Sequence, residues 1–104
     1  MTITESHWTD ENGVPMGGCS YGTGFTISWQ NGPLGRGDKR LEPNGAFIED
    51  VILAAIGRLR YYQSSKFACQ ENENALAHLE STLEELNSRT KKREARKVEG
   101  LAEI

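Results

Sequence analysis

Phe47-Ile48-Glu49-Asp50-Val51-Ile52-Leu53-Ala54-Ala55-Ile56-Gly57-Arg58-Leu59-Arg60-Tyr61-Tyr62-Gln63-Ser64-Ser65-Lys66 is the stretch on which the fold turns. Ile48, Ile52, Ala55, Leu59 and Tyr62 fall three or four residues apart, as one face of a helix requires. Phe47, Val51, Ala54 and Tyr61 mark a second apolar line beside it. Asn44 stands in front as the expected N-cap, and Glu49 and Asp50 occupy the first turns, where carboxylates suit the positive end of the helix dipole. A helix of this length runs about 30 Å. One apolar line serves one partner; two lines call for two.

Working outward toward the C-terminus, a second helix is expected from Glu71 to Lys97. Leu76, Leu79, Leu83 and Leu86 keep the three-four spacing of a seam against a near-antiparallel neighbour. Extending the seam places Thr90 and Arg93 where leucines should continue, so the seam ceases there to be a core. Gly100 is the expected helix stop, behind a basic run that suits a C-terminal turn.

Working outward toward the N-terminus, the composition changes at Pro43. Gly13, Gly17, Gly18, Gly22, Gly24, Gly32, Gly35 and Gly37 precede it with Pro15 and Pro33, a density that breaks helices. Gly24-Phe25-Thr26-Ile27-Ser28-Trp29-Gln30 alternates larger apolar with small polar residues, a strand signal closed by Asn31-Gly32-Pro33. A second strand around Val14 to Tyr21 would complete a hairpin. The expected fold is therefore mainly α with a small β part: an antiparallel two-helix hairpin preceded by a short glycine-rich β segment. A single domain is expected over 1–104, with the β and loop segment at 1–43 and the helical hairpin at 44–104. Two helices and one glycine-rich strand enclose little core, so oligomerisation is expected, through the second line of the first helix.

Composition narrows the function. No apolar run approaches the length of a membrane span, and the first residues lack the basic and apolar regions of a secretion signal, so a soluble cytoplasmic protein is expected. Cys19 and Cys69 have no CxxC partner, and His7 and His78 are isolated, so neither a disulfide framework nor a metal site is expected. The net charge of −3 hides an asymmetry: residues 89–97 hold six basic residues against Glu94, a balance of +5, while the remainder holds six basic against fourteen acidic, −8. A local basic patch on an acidic chain points to an anionic partner at one place rather than to long nucleic acid.

Arg89 and Arg93 stack on one helix face, with Arg96 continuing the row. Guanidinium forks at that spacing can grip a diphosphate. The same residues are also what a solvated C-terminal turn would carry, and on residues alone that reading is the stronger. Phe67 lies in the corner between the helices, where a ring could stack a base, with Tyr61 and Tyr62 just before it. Asn72 and Asn74 could cap the second helix or bond a ligand, capping being the more usual role. Gly17-Gly18-Cys19-Ser20-Tyr21-Gly22-Thr23-Gly24 matches neither dinucleotide nor Walker pattern and is read as turns. No nucleophile, base and orienting group assemble, so no enzyme and no cofactor are expected.

Asn31-Gly32-Pro33-Leu34-Gly35-Arg36, Glu42-Pro43-Asn44-Gly45-Ala46-Phe47-Ile48-Glu49-Asp50-Val51-Ile52, Gly57-Arg58-Leu59 and Tyr62-Gln63 together resemble a phage-protein pattern. Ser65-Lys66-Phe67-Ala68-Cys69, Glu71-Asn72, Arg89-Thr90, Arg93-Glu94 and Val98-Glu99-Gly100 extend it. The pattern is similar to the phage anti-Thoeris signal sponges, which share a helical hairpin with the phage anti-CBASS sponges. It covers about two thirds of the chain, from the strand to Gly100, and leaves the first twenty or so residues outside. The resemblance implies a helical hairpin with a small sheet, assembled as dimers and then as a hexamer. It implies sequestration of glycocyclic ADP-ribose, and in some members of cyclic oligonucleotides at a separate site. It implies a pocket made by Arg89, Arg93, Phe67 and Asn72, with Asn74 able to replace Asn72. With the resemblance added, the arginine row is expected to serve a ligand pocket at a subunit boundary. Two other classes stay open: a nucleic-acid binder on the basic patch, and an interaction module presenting the first helix to a host protein.

Overall fold

The computed structural model describes residues 2–103, which form three strands, one short 3-10 turn and two long helices. They divide into two compact units, the hairpin Ile48–Arg93 and a unit that combines the chain up to Phe47 with the chain from Glu94 onward.

In the second of these, β1 (Thr4–Thr9), β2 (Pro15–Gly22) and β3 (Phe25–Trp29) form an antiparallel meander in the order β1-β2-β3. The β2 and β3 pairing agrees with the expected hairpin; β1 was not foreseen. The β1–β2 turn is built by Asp10, whose Oδ1 accepts from the backbone N–H of Asn12 at 2.8 Å and of Val14 at 3.0 Å. Gly13 closes that turn at φ +79, a conformation that suits glycine. Gly18 lies opposite both His7 and Trp29 and is buried beneath them. Ser20, also buried, accepts the Trp29 Nε1–H at 2.9 Å, so the indole is satisfied as it crosses the sheet.

After β3 the chain loops out and returns through Ala46, which pairs with Trp29 in a short parallel bridge. Asn44 does not cap a helix. Its Oδ1 accepts from Asn31 N at 2.8 Å and its Nδ2 donates to Asn31 O at 3.0 Å, so it ties the loop's exit to its entrance. Gly45 is required beside it, because a Cβ there would stand 2.5 Å from the Trp29 carbonyl oxygen.

The hairpin unit contains α1 (Ile48–Gln63) and most of α2 (Gln70–Ala95). Its antiparallel register shows in three polar pairs: Gln63 Nε2 to Glu73 Oε1 at 2.9 Å, Arg60 to Glu80 at 3.0 Å and Arg89 to Glu49 at 3.4 Å. The expected leucine seam faces inward, with Leu76 buried and Leu79, Leu83 and Leu86 half-buried. On α1 the inward row is Ile52, Ile56, Leu59 and Tyr62. Ile56, only 2% exposed, holds the place expected of Ala55, which is in solvent. Full burial of such a side chain is worth about 1.5–3 kcal/mol, and few residues here achieve it. The second expected line is unpacked at Ala54 and Tyr61, and Leu53 and Gly57 are exposed beside them.

Both helices are shorter than expected. α1 ends at Gln63 because Ser64 and Ser65 turn their hydroxyls back onto the carbonyls of Tyr61 and Tyr62, at 2.8 and 2.6 Å. α2 ends at Ala95, where Lys97 adopts φ +62 and its N–H bonds the Glu94 carbonyl at 2.9 Å. Gly100 is therefore not the stop of the helix. It lies beyond it, and its carbonyl accepts from Gly35 N at 2.6 Å.

Candidate functional site

Arg89 and Arg93 project from α2 one turn apart, near its C-terminal end. Arg89 is largely exposed and meets Glu49 of α1 at 3.4 Å, a long contact that leaves most of its fork open to solvent. Arg93 is half-buried, as expected of a residue that continues the leucine seam beyond the last leucine. Arg96, the third of the row, falls just past the helix end.

Phe67 occupies the corner between the helices and is 72% exposed. It is placed by its neighbours, its N–H donating to Ser65 Oγ at 3.1 Å and its carbonyl accepting from Asn72 Nδ2 at 3.1 Å. Asn72 therefore fixes the corner instead of capping the helix, and Asn74 accepts from the Gln70 side chain at 3.0 Å. Capping in the usual sense is replaced by Gln63, whose amide takes the N–H of Cys69 and donates to its carbonyl, both at 3.0 Å. The Phe67 ring meets Tyr62 edge to face at 5.9 Å between centroids. Arg58 lies 5.1 Å from the Tyr61 ring centre and 4.9 Å from that of Tyr62, within cation–π range. Pairing with Tyr62 is the chief cause that holds its guanidinium above the ordinary arginine range.

The four expected site residues thus form two pairs. Asn72 and Arg89 are seventeen positions apart on one continuous helix, about 25 Å along its axis. Within one chain, Arg89 and Arg93 cannot reach a nucleotide-sized ligand held by Phe67 and Asn72. A site using all four needs more than one copy.

Arg36 and Arg40 were not assigned a role on residues alone. In the structure Arg36 grips Glu94 with both terminal nitrogens, at 3.1 and 3.0 Å, and also donates to the Glu99 carbonyl at 3.0 Å. Arg40 grips the Glu99 carboxylate at 2.6 and 2.9 Å. These bonds hold Glu94 below the usual carboxylate range and both arginines above theirs. With the Gly35–Gly100 bond they clasp the loop after β3 to the last turn of α2 and the chain beyond it. Glu94, the one acid in the basic run, has both oxygens engaged by Arg36. Among the described residues no three His, Cys, Asp or Glu side chains gather as a metal site would need, and no helix is long and apolar enough to cross a membrane.

A three-stranded meander, a clasped loop and a helical hairpin with a cationic row on its second helix define a small helical-hairpin protein with a β-sheet ahead of the hairpin. Residues 23–91 match the family model for the Acb2/Tad1 hairpin domain. The chain is also 44% identical, over 78 residues, to Thoeris anti-defense 1 of Bacillus phage SBSphiJ7. That alignment takes in 75% of this chain and 52% of the relative, so the chain spans about half the relative's length. The chain belongs to the Acb2/Tad1 hairpin-domain family. β1 and β2 precede the matched segment.

Proposed function

We propose that this chain is a phage anti-defence protein that binds and sequesters cyclic nucleotide immune signals, glycocyclic ADP-ribose and with it cyclic oligonucleotides, without degrading them. Its target is Thoeris-type immunity in the cytoplasm of an infected bacterium. The relative whose name carries Thoeris anti-defence supports the setting. The observation that carries the chemistry is the two-part site: guanidinium forks on one stretch of α2 and an exposed ring at the corner about 25 Å away. Two copies arranged head to tail bring the arginines of one beside the ring of the other, which encloses a nucleotide between phosphate-gripping and base-stacking ends.

The exposed face of α1 supports the assembly. Ala54 and Gly57 let a second helix approach closely, while Leu53 and Tyr61, 52% and 59% exposed, offer apolar area to cover. An even-numbered oligomer is expected, a hexamer by resemblance to the family. Such a pocket binds the ground state, since guanidinium forks and a ring grip phosphates and a base as they stand before any bond breaks. Inhibition then works by mass action. Nanomolar affinity corresponds to about −12 kcal/mol, attainable between preorganised subunits.

The test is native mass spectrometry with a panel of cyclic nucleotides, followed by heat release and chromatography of the ligand. Intact glycocyclic ADP-ribose, in amounts matching the sites, is the expected result. A linearised product that grows with time would mean an enzyme. No bound mass would turn attention to the α1 face as a host-protein surface. Arg89→Ala should weaken binding by about 1.5–3 kcal/mol, the worth of a charged hydrogen bond. Its melting temperature should barely move, since the exposed pair with Glu49 contributes about 0–1 kcal/mol. Arg93→Lys keeps the charge, loses the fork, and should fall between the two.

A further inference from the structure

β1 is an edge strand of a three-stranded sheet, and every one of its residues from Thr4 to Thr9 is exposed. An edge strand turns half of its backbone donors and acceptors away from its only neighbour, and proteins usually blunt such an edge with proline, lysine or an irregularity. Here the irregularity comes only at Trp8/Thr9, at the strand's far end, and there is neither proline nor lysine before it. Trp8 is 45% exposed although Asn31 Oδ1 holds its Nε1–H at 3.2 Å, and Ile3 beside the strand is 49% exposed.

Charge decides what could cover this edge. Residues 1–35 contain Glu5, Asp10 and Glu11 and no lysine or arginine, so a phosphate-bearing partner would be repelled. The edge itself reads Thr4-Glu5-Ser6-His7-Trp8-Thr9, with Glu5 and His7 on one face. Across their own strand their side chains come within 3.9 Å. The strand that matches this order when it runs the opposite way is its own copy.

We infer that β1 pairs antiparallel with β1 of a second copy, about a two-fold axis through Ser6, joining two three-stranded sheets into one of six. Symmetry leaves few registers. A two-fold axis normal to the sheet keeps like faces together, so residue numbers paired across it must have the same parity. Centring on Glu5 sets carboxylate against carboxylate, and centring on His7 sets imidazole against imidazole. Centring on Ser6 sets each Glu5 against the partner's His7, and each Trp8 against the partner's Thr4. It also uses the strand up to the Trp8/Thr9 irregularity, where pairing would end in any case. Two carboxylates directly opposite one another destabilise a sheet, whereas a carboxylate opposite an imidazole can accept its N–H. This interface is distinct from the α1 face. A second, distinct contact between copies is one route by which dimers join into a larger closed assembly.

The experiment is a disulfide trap joined to a charge swap. Ser6 lies directly opposite Cys19 within its own sheet, so the background is Cys19→Ser with Cys69→Ser. Ser6→Cys in that background should give a covalent dimer under mild oxidant, and Thr4→Cys, which would face the partner's Trp8, should not. By native mass spectrometry, Glu5→His or His7→Glu alone sets like against like and should halve the assembled mass. The double variant exchanges the two residues and should restore it. The proposal is overturned if Ser6→Cys does not cross-link while its circular dichroism is native. It is equally overturned if Thr4→Cys links as well, or if both single variants keep the full mass. None of these readouts involves a ligand, so the pairing can fail while the sequestration reading stands, and the reverse.

Discussion

The helical hairpin and the sheet-bearing unit use different physics to reach an ordered chain. The hairpin buries apolar rows: Ile56 and Leu76 are buried, and half-buried Ile52, Leu59, Leu79, Leu83 and Leu86 flank them. Its polar pairs, Arg60–Glu80 and Arg89–Glu49, stand in solvent and contribute little. The sheet-bearing unit has Leu34 as its only buried large apolar side chain among the described residues. It relies instead on backbone geometry at glycine, on Asn44 and Asp10 bonding to loop backbone, and on the two arginine forks of the clasp. Apolar packing tolerates exchange of one hydrophobe for another. Close backbone approach tolerates nothing larger than hydrogen.

The largest effect should come from the hairpin. Ile56→Ala removes the most enclosed large apolar side chain among the described residues and should cost about 2–5 kcal/mol, read from the urea midpoint of the helical circular dichroism signal. A loss below 1 kcal/mol would mean that the hairpin rests on contacts between copies, and the contrast with the other unit would collapse.

Gly100→Ala probes the other unit by the other mechanism. Gly100 has φ +82, and an added Cβ would run into the Gly35 carbonyl oxygen and approach the Arg40 guanidinium. Strain of this kind costs about 1–3 kcal/mol. Hydrogen exchange should quicken in the loop after β3 and in the chain beyond α2, with the protection of α1 unchanged. If α1 lost protection equally, the two units would be one cooperative body.

The contrast also explains what could be read from residues alone. Spacing of three and four betrays the hairpin, because burial on a helix writes itself into neighbouring positions. The line is displaced at two places: Ile56 rather than its neighbour Ala55 points inward, and Ile48, in the first turn, is 49% exposed. β1 left no such mark: Thr4-Glu5-Ser6-His7-Trp8-Thr9 is exposed on both faces, so alternation had nothing to record. The clasp was hidden for another reason. Arg36 and Glu94 are 58 positions apart and Arg40 and Glu99 are 59 apart, beyond any local pattern. Asn44 shows the limit of local rules, since a good capping residue was taken by a loop that needed it more. For the site, the spacing of Arg89 and Arg93 was legible as a row. Its separation from Phe67 follows from helix rise once α2 is known to be unbroken.

The smallest expected effect sharpens the comparison through pH. The Arg36 fork holds Glu94 below the carboxylate's ordinary value of 4.5, so the folded chain binds that proton less readily than the unfolded chain does. The sign follows from linkage. Whatever the pair contributes is fully present above the ordinary carboxylate range, and it is lost as pH falls through the depressed folded value. Glu94→Gln keeps the shape and removes the titration, so it should be slightly less stable than the parent at neutral pH. The difference should shrink steadily as the medium is acidified below pH 4.5, where the unfolded chain begins to take the proton. Salt should reduce the neutral-pH difference in the same way, because the pair is exposed and screened. The measurement is a set of melting curves for both proteins, from neutral pH down into the acid limb, at low and high ionic strength. A difference that grew on acidification would mean that Glu94 is stabilised in its protonated form, and the clasp would then not be an ion pair.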